Sequence, residues 1–190
     1  MIDHFRPYAG IYDYFCFIRK PNLERLCELL KLPTGGRLLD AGGGTGRVSR
    51  HLKSMVGEVV VGDLSRAMLK RAFRCRGLNA VQTYVEKLPF PDGCFDRVLI
   101  VDAWHHFQSQ VEAAREFGRV LKPGGRLVIE EQDIERLPIK LVALGERLAR
   151  MGSHFYTSTQ IVEQVRSHGL DATVERGGRF LFWVIADKSQ

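Results

Sequence analysis

The sequence lacks an apolar run long enough to cross a bilayer, since its strongly apolar stretches, such as residues 97–103, are short. It also lacks a secretory signal, because the opening MIDHFRPY contains an acid and no apolar core segment. C-x-x-C spacing is absent too, although four cysteines are scattered along the chain: Cys16, Cys27, Cys75 and Cys94. These absences predict a cytoplasmic protein with free thiols, no transmembrane segment and no metal site.

Positive charge is in excess, and much of the excess is local. The formal net charge is +6, and the segment SRAMLKRAFRCRG places Arg66, Lys70 and Arg74 on one face of a predicted helix. The apolar residues of this helix are expected to face the core: Met68, Leu69, Ala72 and Phe73. With no exposed aromatic residues between the cations, the pattern favours a solvated helix face over an RNA-binding patch. We therefore expect no nucleic-acid partner.

Short β-branched runs alternate with helical patterns in the first two thirds of the chain, which is typical of repeated βαβ units. The predicted strands cover residues 37–41, 58–62, 80–85, 97–102 and 126–131. The predicted helices between them include residues 45–55, the basic helix and one that ends near residue 121. The residues KPGG at 122–125 then predict a tight turn.

A different pattern follows residue 131. A loop and a helix are predicted through residue 155, and a further helix begins at Thr157 or Ser158 and is capped by Gly169. Two β-rich runs, residues 171–175 and 179–186, predict an antiparallel hairpin at the sheet edge. The predicted fold is α/β: a doubly wound, mostly parallel seven-stranded sheet with helices on both faces and an antiparallel C-terminal hairpin.

The segment LLDAGGGTGRV, residues 38–48, combines a buried strand, an acid and a glycine loop. Asp40 ends the strand, and the glycines at 42, 44 and 46 allow the backbone to turn sharply beside a ligand. A dinucleotide fingerprint, G-x-G-x-x-G, requires glycine where this chain has Arg47 or Ser49. The spacing therefore disfavours a nicotinamide cofactor.

A second acid, Asp63, ends the next predicted strand in VVVGDLS. A carboxylate at this point can accept hydrogen bonds from both ribose hydroxyls of a nucleoside lying across the strand ends. Asp63 could instead cap the basic helix, although Ser65 fits that role as well.

Four segments in this order carry a family resemblance: LLDAGGGTG, VVVGDLS, EKLPFPDGCFDRVL, and HHF followed by RVLKPGGRLVI. Over residues 37–131 the sequence resembles the class I S-adenosylmethionine-dependent methyltransferases, and specifically the ubiquinone/menaquinone methyltransferase group. The resemblance implies one domain over residues 1–190. Its parts are an N-terminal helical cap (1–34), a cofactor-binding core (35–131), and an acceptor-side insertion with the hairpin (132–190).

The resemblance also implies a cofactor, S-adenosylmethionine, with S-adenosylhomocysteine as its product. The implied roles are backbone contacts to the methionine moiety (Gly42, Gly44), orientation of its ammonium (Asp40, Val101), binding of the ribose (Asp63) and a cradle for adenine (Val85), with Leu64 as a further cofactor-binding residue. One departure is Tyr84, which stands where relatives commonly carry an acid beside the adenine amino group.

The segment DAWHHF supplies the candidate catalytic residues His105 and His106, because imidazole can remove a proton near neutral pH. Tyr12, in the aromatic opening segment, is the candidate for acceptor binding. The expected acceptor is a small or lipid-like molecule, because little of the chain remains to build a lid. The alternative is a non-catalytic, nucleoside-binding regulator or subunit.

Overall fold

The fold is described from a computed structural model that covers residues 21–75, 77–148, 153–177 and 180–190. Tyr12 and most of the expected N-terminal cap lie outside the described residues. No helix among the described residues is long and apolar enough to cross a membrane. Cys27, Cys75 and Cys94 are free thiols, as expected.

Seven strands form one sheet in the order β3-β2-β1-β4-β5-β7-β6. Their bounds are β1 Arg37–Ala41, β2 Glu58–Asp63, β3 Asn79–Gln82, β4 Phe95–Val101, β5 Leu121–Gln132, β6 Leu170–Gly177 and β7 Leu181–Lys188. Strands β1 to β5 pair in parallel, whereas β7 lies antiparallel to both β5 and β6. The predicted α/β sheet and its C-terminal hairpin are confirmed.

In the described part of the chain, six α-helices accompany the strands: α1 Leu23–Leu29, α2 Ser49–Leu52, α3 Arg66–Ala72, α4 Gln110–Val120, α5 Leu137–Leu148 and α6 Ser158–Arg166. A 3₁₀ turn, Trp104–His106, precedes α4. The hydroxyls of Ser65, Ser109 and Thr157 cap the first turns of α3, α4 and α6. Each cap satisfies a backbone N–H that the helix itself leaves without a partner.

Apolar side chains cover both faces of the sheet. Leu39 of β1 packs into a cluster with α4 and α6, whereas its neighbour Leu38 packs into a second cluster with α1, α2 and α3. Consecutive residues of a strand point to opposite faces, so a sheet buried on both sides needs such continuous apolar runs. Because β1 to β5 are parallel, their carboxyl ends meet at one edge of the sheet, where the acids and the glycine loop are found.

Three predicted elements differ most in their boundaries from the structure. The helix expected over residues 45–55 is only Ser49–Leu52, because Gly42, Gly44 and Gly46 all adopt positive φ and the chain turns until residue 48. The strand expected to begin at residue 126 begins at Leu121, with an irregularity in register at the KPGG segment. The third strand ends at Gln82 rather than at residue 85.

Phe73 was expected in the core, and that prediction was wrong: its side chain is 75% exposed. Helix α3 ends at Ala72, and Phe73 is its C-cap residue. Position 73 lies one turn beyond Lys70, so Phe73 shares the solvent-facing side of the helix. Met68, Leu69 and Ala72 are buried as expected.

Two phenylalanines should therefore respond differently to truncation. Phe117→Ala removes a fully buried ring from α4 and should lower the free energy of unfolding by about 3–5 kcal/mol. Phe73→Ala should change it by less than about 0.5 kcal/mol, because its ring is exposed. Urea denaturation of both variants checks this, and a large loss in Phe73→Ala would contradict the placement of its ring.

Candidate functional site

The carboxyl end of β1 leads into a loop of glycines. The Gly42 amide donates to the Gly62 carbonyl on β2 at 2.8 Å, which ties the start of the loop to the neighbouring strand. Gly42, Gly44 and Gly46 have φ values of +70°, +54° and +70°. Side-chain-bearing residues rarely adopt this region, so the loop requires glycine at these positions.

The glycines differ in what surrounds them. A Cβ on Gly42 would lie 2.8 Å from the Ala103 Cβ, and one on Gly46 would lie 2.8 Å from the Leu78 side chain. A Cβ on Gly43 would lie 2.6 Å from the carboxyl carbon of Asp40. Among the described residues, a Cβ on Gly44 would meet only the Asp63 carboxylate, at 3.9 Å. Gly44 is thus the glycine of this loop at which the described residues leave room for a Cβ, whereas the others pack closely against protein.

Asp63 ends β2 beside Gly44. Its two carboxylate oxygens accept hydrogen bonds from the amides of Gly44, at 2.9 Å, and Ser65, at 2.7 Å. Ser65, rather than Asp63, caps α3, since the Ser65 hydroxyl accepts from the Met68 amide. The carboxylate is therefore held in one orientation beside Gly44.

Asp40 lies beneath the loop and is only 2% exposed. Its carboxylate accepts a hydrogen bond of 2.6 Å from the Ser49 hydroxyl at the start of α2. Burial raises the pKa of Asp40 to about 6, and the Ser49 hydrogen bond opposes this increase in part. In this structure Asp40 connects the end of β1 to α2.

The ends of β4 and β5 hold the DAWHHF segment. Asp102 has a φ of +56°, and its carboxylate accepts from the Gln132 side-chain amide at 2.9 Å. The carboxylate of Glu131 accepts from the Trp104 amide and bonds Nδ1 of His105, both at 2.7 Å. Two adjacent residues of β5 therefore stabilise a turn whose first residue is in an unfavourable backbone conformation.

The two candidate histidines have different surroundings. His105 is 2% exposed and stacks on Phe155, with ring centroids 4.4 Å apart. Nδ1 of His106 lies 3.1 Å from the Ser153 hydroxyl. Burial, and then the adjacent His105, lower the pKa of His106 to about 3. The structure places both histidines at the expected edge, but His106 is a weak base.

The residues around the expected adenine cradle are only partly open. Val85, the predicted cradle residue, is buried in the core cluster beside β4. The carbonyl of Leu64, a predicted cofactor-binding residue, accepts from the Gln82 side chain at 3.0 Å. Tyr84 is half-buried and pairs with Lys87 in an isolated bridge. Glu86, an acidic residue in the same loop, accepts hydrogen bonds from the amides of residues 108 and 109. Glu86 thus joins this loop to the start of α4.

Asp102, His105 and Glu131 bring three potential metal-ligand atoms within 4.8 Å of one another. The geometry also fits a hydrogen-bonded cluster, because Glu131 bonds His105 directly and Asp102 accepts from Gln132. The expectation of no metal stays a prediction.

The sequence analysis did not identify Glu131 as a site residue. The segment LVIEEQ could have indicated it, because it places two acids inside an apolar strand and buried carboxylates require partners. Both acids are nearly fully buried on opposite faces of β5: Glu130 accepts from the Trp183 indole, and Glu131 holds the turn of His105.

The raised pKa of Asp40 predicts a pH-dependent stability. The folded state binds this proton more tightly than the unfolded state, so the contribution of Asp40 is complete below about pH 4 and is lost as the pH rises through about 6. Relative to Asp40→Asn, the wild type should lose about 3 kcal/mol in total as the pH rises from about 3 to above about 7, of which about 2 kcal/mol is lost between pH 4 and pH 6. Urea denaturation at several pH values measures the difference, and parallel stability curves would contradict the assignment.

Comparison with known proteins places this geometry in a family. A methyltransferase domain family matches residues 39–129. The ubiquinone/menaquinone biosynthesis C-methyltransferase UbiE of Coxiella burnetii is 35% identical over 156 residues, which are 73% of this chain and 62% of that protein. The chain therefore spans less than two thirds of the length of this curated relative.

Solved structures share the fold. An S-adenosylmethionine-dependent methyltransferase from Thermotoga maritima has a TM-score of 0.83 at 20% identity, with 98% of each chain covered. A Haemonchus contortus N-methyltransferase in complex with S-adenosylhomocysteine has a TM-score of 0.74 at 20% identity, covering 89% of this chain and 52% of that one. With its glycine loop, sheet order and antiparallel last strands, this chain has the class I S-adenosylmethionine-dependent methyltransferase fold, and its residues 39–129 match the methyltransferase domain family.

Proposed function

We propose that this protein transfers the methyl group of S-adenosylmethionine to a small, lipid-like acceptor, and that a quinone-like ring is the first class to test. The observation that carries the proposal is the Asp63 carboxylate, fixed by two backbone amides beside Gly44. The named function of the Coxiella relative, which concerns ubiquinone and menaquinone biosynthesis, supports the choice of acceptor.

The polar groups of Asp63 and Gly44 fit S-adenosylmethionine. A carboxylate has about four acceptor positions, so Asp63 can accept from two vicinal ribose hydroxyls in addition to the amides of Gly44 and Ser65. Gly44 offers the close backbone approach that the methionine moiety needs, because among the described residues a Cβ there would meet only the Asp63 carboxylate, at 3.9 Å. Asp63 and Gly44 therefore hold the cofactor, and Asp40 supports the loop from beneath.

S-adenosylmethionine supplies a methyl group on a positively charged sulfur, which keeps the electrons of the broken bond while a lone pair of the acceptor forms the new one. The protein contributes position and, where the acceptor loses a proton, a base. His105 is the candidate base that remains, because the low pKa of His106 makes His106 a poor proton acceptor.

Glu131 determines which nitrogen of His105 carries the proton. A carboxylate only accepts hydrogen bonds, so Nδ1 of the neutral imidazole is the donor to Glu131 and Nε2 holds the lone pair. We infer that Glu131 is a positioning residue, which orients the ring and sets its tautomer. The Ala103 side chain lies against Gly42, so the turn of His105 borders the cofactor loop directly.

The alternative of a non-catalytic regulator is not favoured, because the curated relative is a C-methyltransferase. Incubation with methyl-deuterated S-adenosylmethionine and either a quinol or a cellular lipid extract distinguishes the two. Methyl transfer predicts a trideuteromethylated lipid and stoichiometric S-adenosylhomocysteine. Tight binding without any labelled product in either sample would overturn the catalytic proposal.

Replacing the Asp63 carboxylate should weaken the cofactor without unfolding the chain. Asp63→Ala should reduce the binding free energy of S-adenosylhomocysteine by about 1.5–3 kcal/mol, the range for hydrogen bonds to a charged group. Calorimetry with S-adenosylhomocysteine and its 2′-deoxy analogue measures the effect. If the wild type binds both equally, Asp63 is not the ribose ligand.

Glu131→Gln should change the tautomer of His105 while keeping the fold. The amide oxygen of the new side chain can still accept from the Trp104 amide, but its NH₂ group donates towards Nδ1 and favours the proton on Nε2. Imidazole ¹⁵N chemical shifts report this exchange, and turnover should fall with little change in KM.

The matched control is Glu130→Gln, since Glu130 is as buried but bonds Trp183 on the other face of β5. If the ¹⁵N chemical shifts of His105 do not change in Glu131→Gln, or change equally in both variants, the role of Glu131 is contradicted.

A further inference from the structure

We propose that the outer side of α3 is a docking surface for an anionic lipid bilayer. This surface, called the α3 face below, consists of Arg66, Lys70, Phe73 and Arg74, all of which are exposed. Arg66 and Lys70 lie one turn apart on α3, and Phe73 and Arg74 follow the last residue of the helix about one turn beyond Lys70. The opposite side, with Met68 and Leu69, is buried against the sheet.

The cations of the α3 face are not used in ion pairs within the described part of the chain. No acidic oxygen among those residues lies within 4.0 Å of Arg66, Lys70 or Arg74. Helix α4 differs, because Arg115 and Arg119 on it each pair with a glutamate of the same helix. The positive charge of the α3 face is therefore available to an external anion.

The neighbouring surface adds to this charge. Residues 47–75 contain seven lysines and arginines but two acids, which accounts for most of the net charge of +6. Lys53, just after α2, lies with Nζ 4.0 Å from the Cys75 sulfur, so the basic end of α2 adjoins the end of α3. Of the two acids, Glu58 is bonded to Arg37 and Asp63 is at the cofactor site.

An exposed aromatic ring distinguishes this surface from a merely solvated one. Phe73 is 75% exposed among the cations, the highest exposed fraction of any large apolar side chain in the described residues. Aromatic residues favour the boundary between water and lipid, and each basic residue near an anionic membrane adds about fivefold to binding. In a peripheral membrane contact, cations bind lipid phosphates while an apolar ring among them enters the interface. The α3 face has this arrangement.

A bilayer fits this shape better than a nucleic acid does. Single-stranded nucleic acids bind in positively charged grooves with several stacking rings, whereas a helix face is convex and Phe73 is one ring. The surface is independent of the methyl-transfer proposal, because none of its side chains is placed at the cofactor site.

Sedimentation with vesicles tests the surface. The full chain should bind vesicles of equal parts phosphatidylglycerol and phosphatidylcholine, and bind vesicles of phosphatidylcholine alone at least about tenfold more weakly. Binding should fall steeply as ionic strength rises from about 0.05 M to about 0.5 M, because surface charges are screened. Lys70→Glu should weaken binding by about tenfold, and Phe73→Ala by several fold.

The controls lie on α4, across the sheet. Arg115→Glu makes the same change in charge, and Val111→Ala also shortens an exposed apolar side chain. Both should bind anionic vesicles as the wild type does. The proposal is overturned if the α4 variants lose as much vesicle binding as the α3 variants do, or if the wild type does not bind anionic vesicles. Binding of polyuridylic acid that depends on Lys70 and Phe73, without vesicle binding, overturns it in favour of a nucleic acid.

Discussion

The hydrogen bond from the Gly44 amide to the Asp63 carboxylate is the contact on which the cofactor site depends. It joins the loop after β1 to the end of β2, and it orients the carboxylate beside the loop glycine at which the described residues leave room for a Cβ. The other glycines pack closely: Gly42 against Ala103 and Gly46 against Leu78. The loop can therefore approach a ligand at Gly44 while the remainder holds β1, β4 and α3 together.

The opposite half of the site depends on β5. Glu131 and Gln132 hold the turn after β4 through Trp104, His105 and Asp102, although Asp102 has an unfavourable positive φ. Strain of this kind persists where surrounding contacts determine the backbone. A parallel sheet brings the ends of β1, β2, β4 and β5 to one edge, so the acids and the imidazole converge although they are far apart in sequence.

Most of the fold could be predicted from local pattern. Strand β1 was predicted with its observed bounds because Arg37 and the glycine loop delimit a buried apolar run. Helix α2 was predicted too long, since the apolar period after Gly46 does not reveal that the preceding turn persists to residue 48. Phe73 was misplaced because it lies one turn beyond both Leu69, which is buried, and Lys70, which is exposed, so periodicity alone does not decide which side it shares.

The site was predictable where a motif carries it and not where partners are distant. Asp63 and Gly44 could be predicted from the strand–loop spacing. The bond between His105 and Glu131 links the 3₁₀ turn after β4 to β5, and it becomes evident only when β4 and β5 are paired. The same holds for Asp40, whose partner Ser49 lies across the loop.

A crystal structure with S-adenosylhomocysteine tests the central claim most directly. The account predicts ribose hydroxyls within hydrogen-bonding distance of the Asp63 carboxylate and the methionine moiety against the backbone of Gly44. A ligand bound elsewhere, or one that leaves Asp63 without a contact to its ribose, would contradict the account.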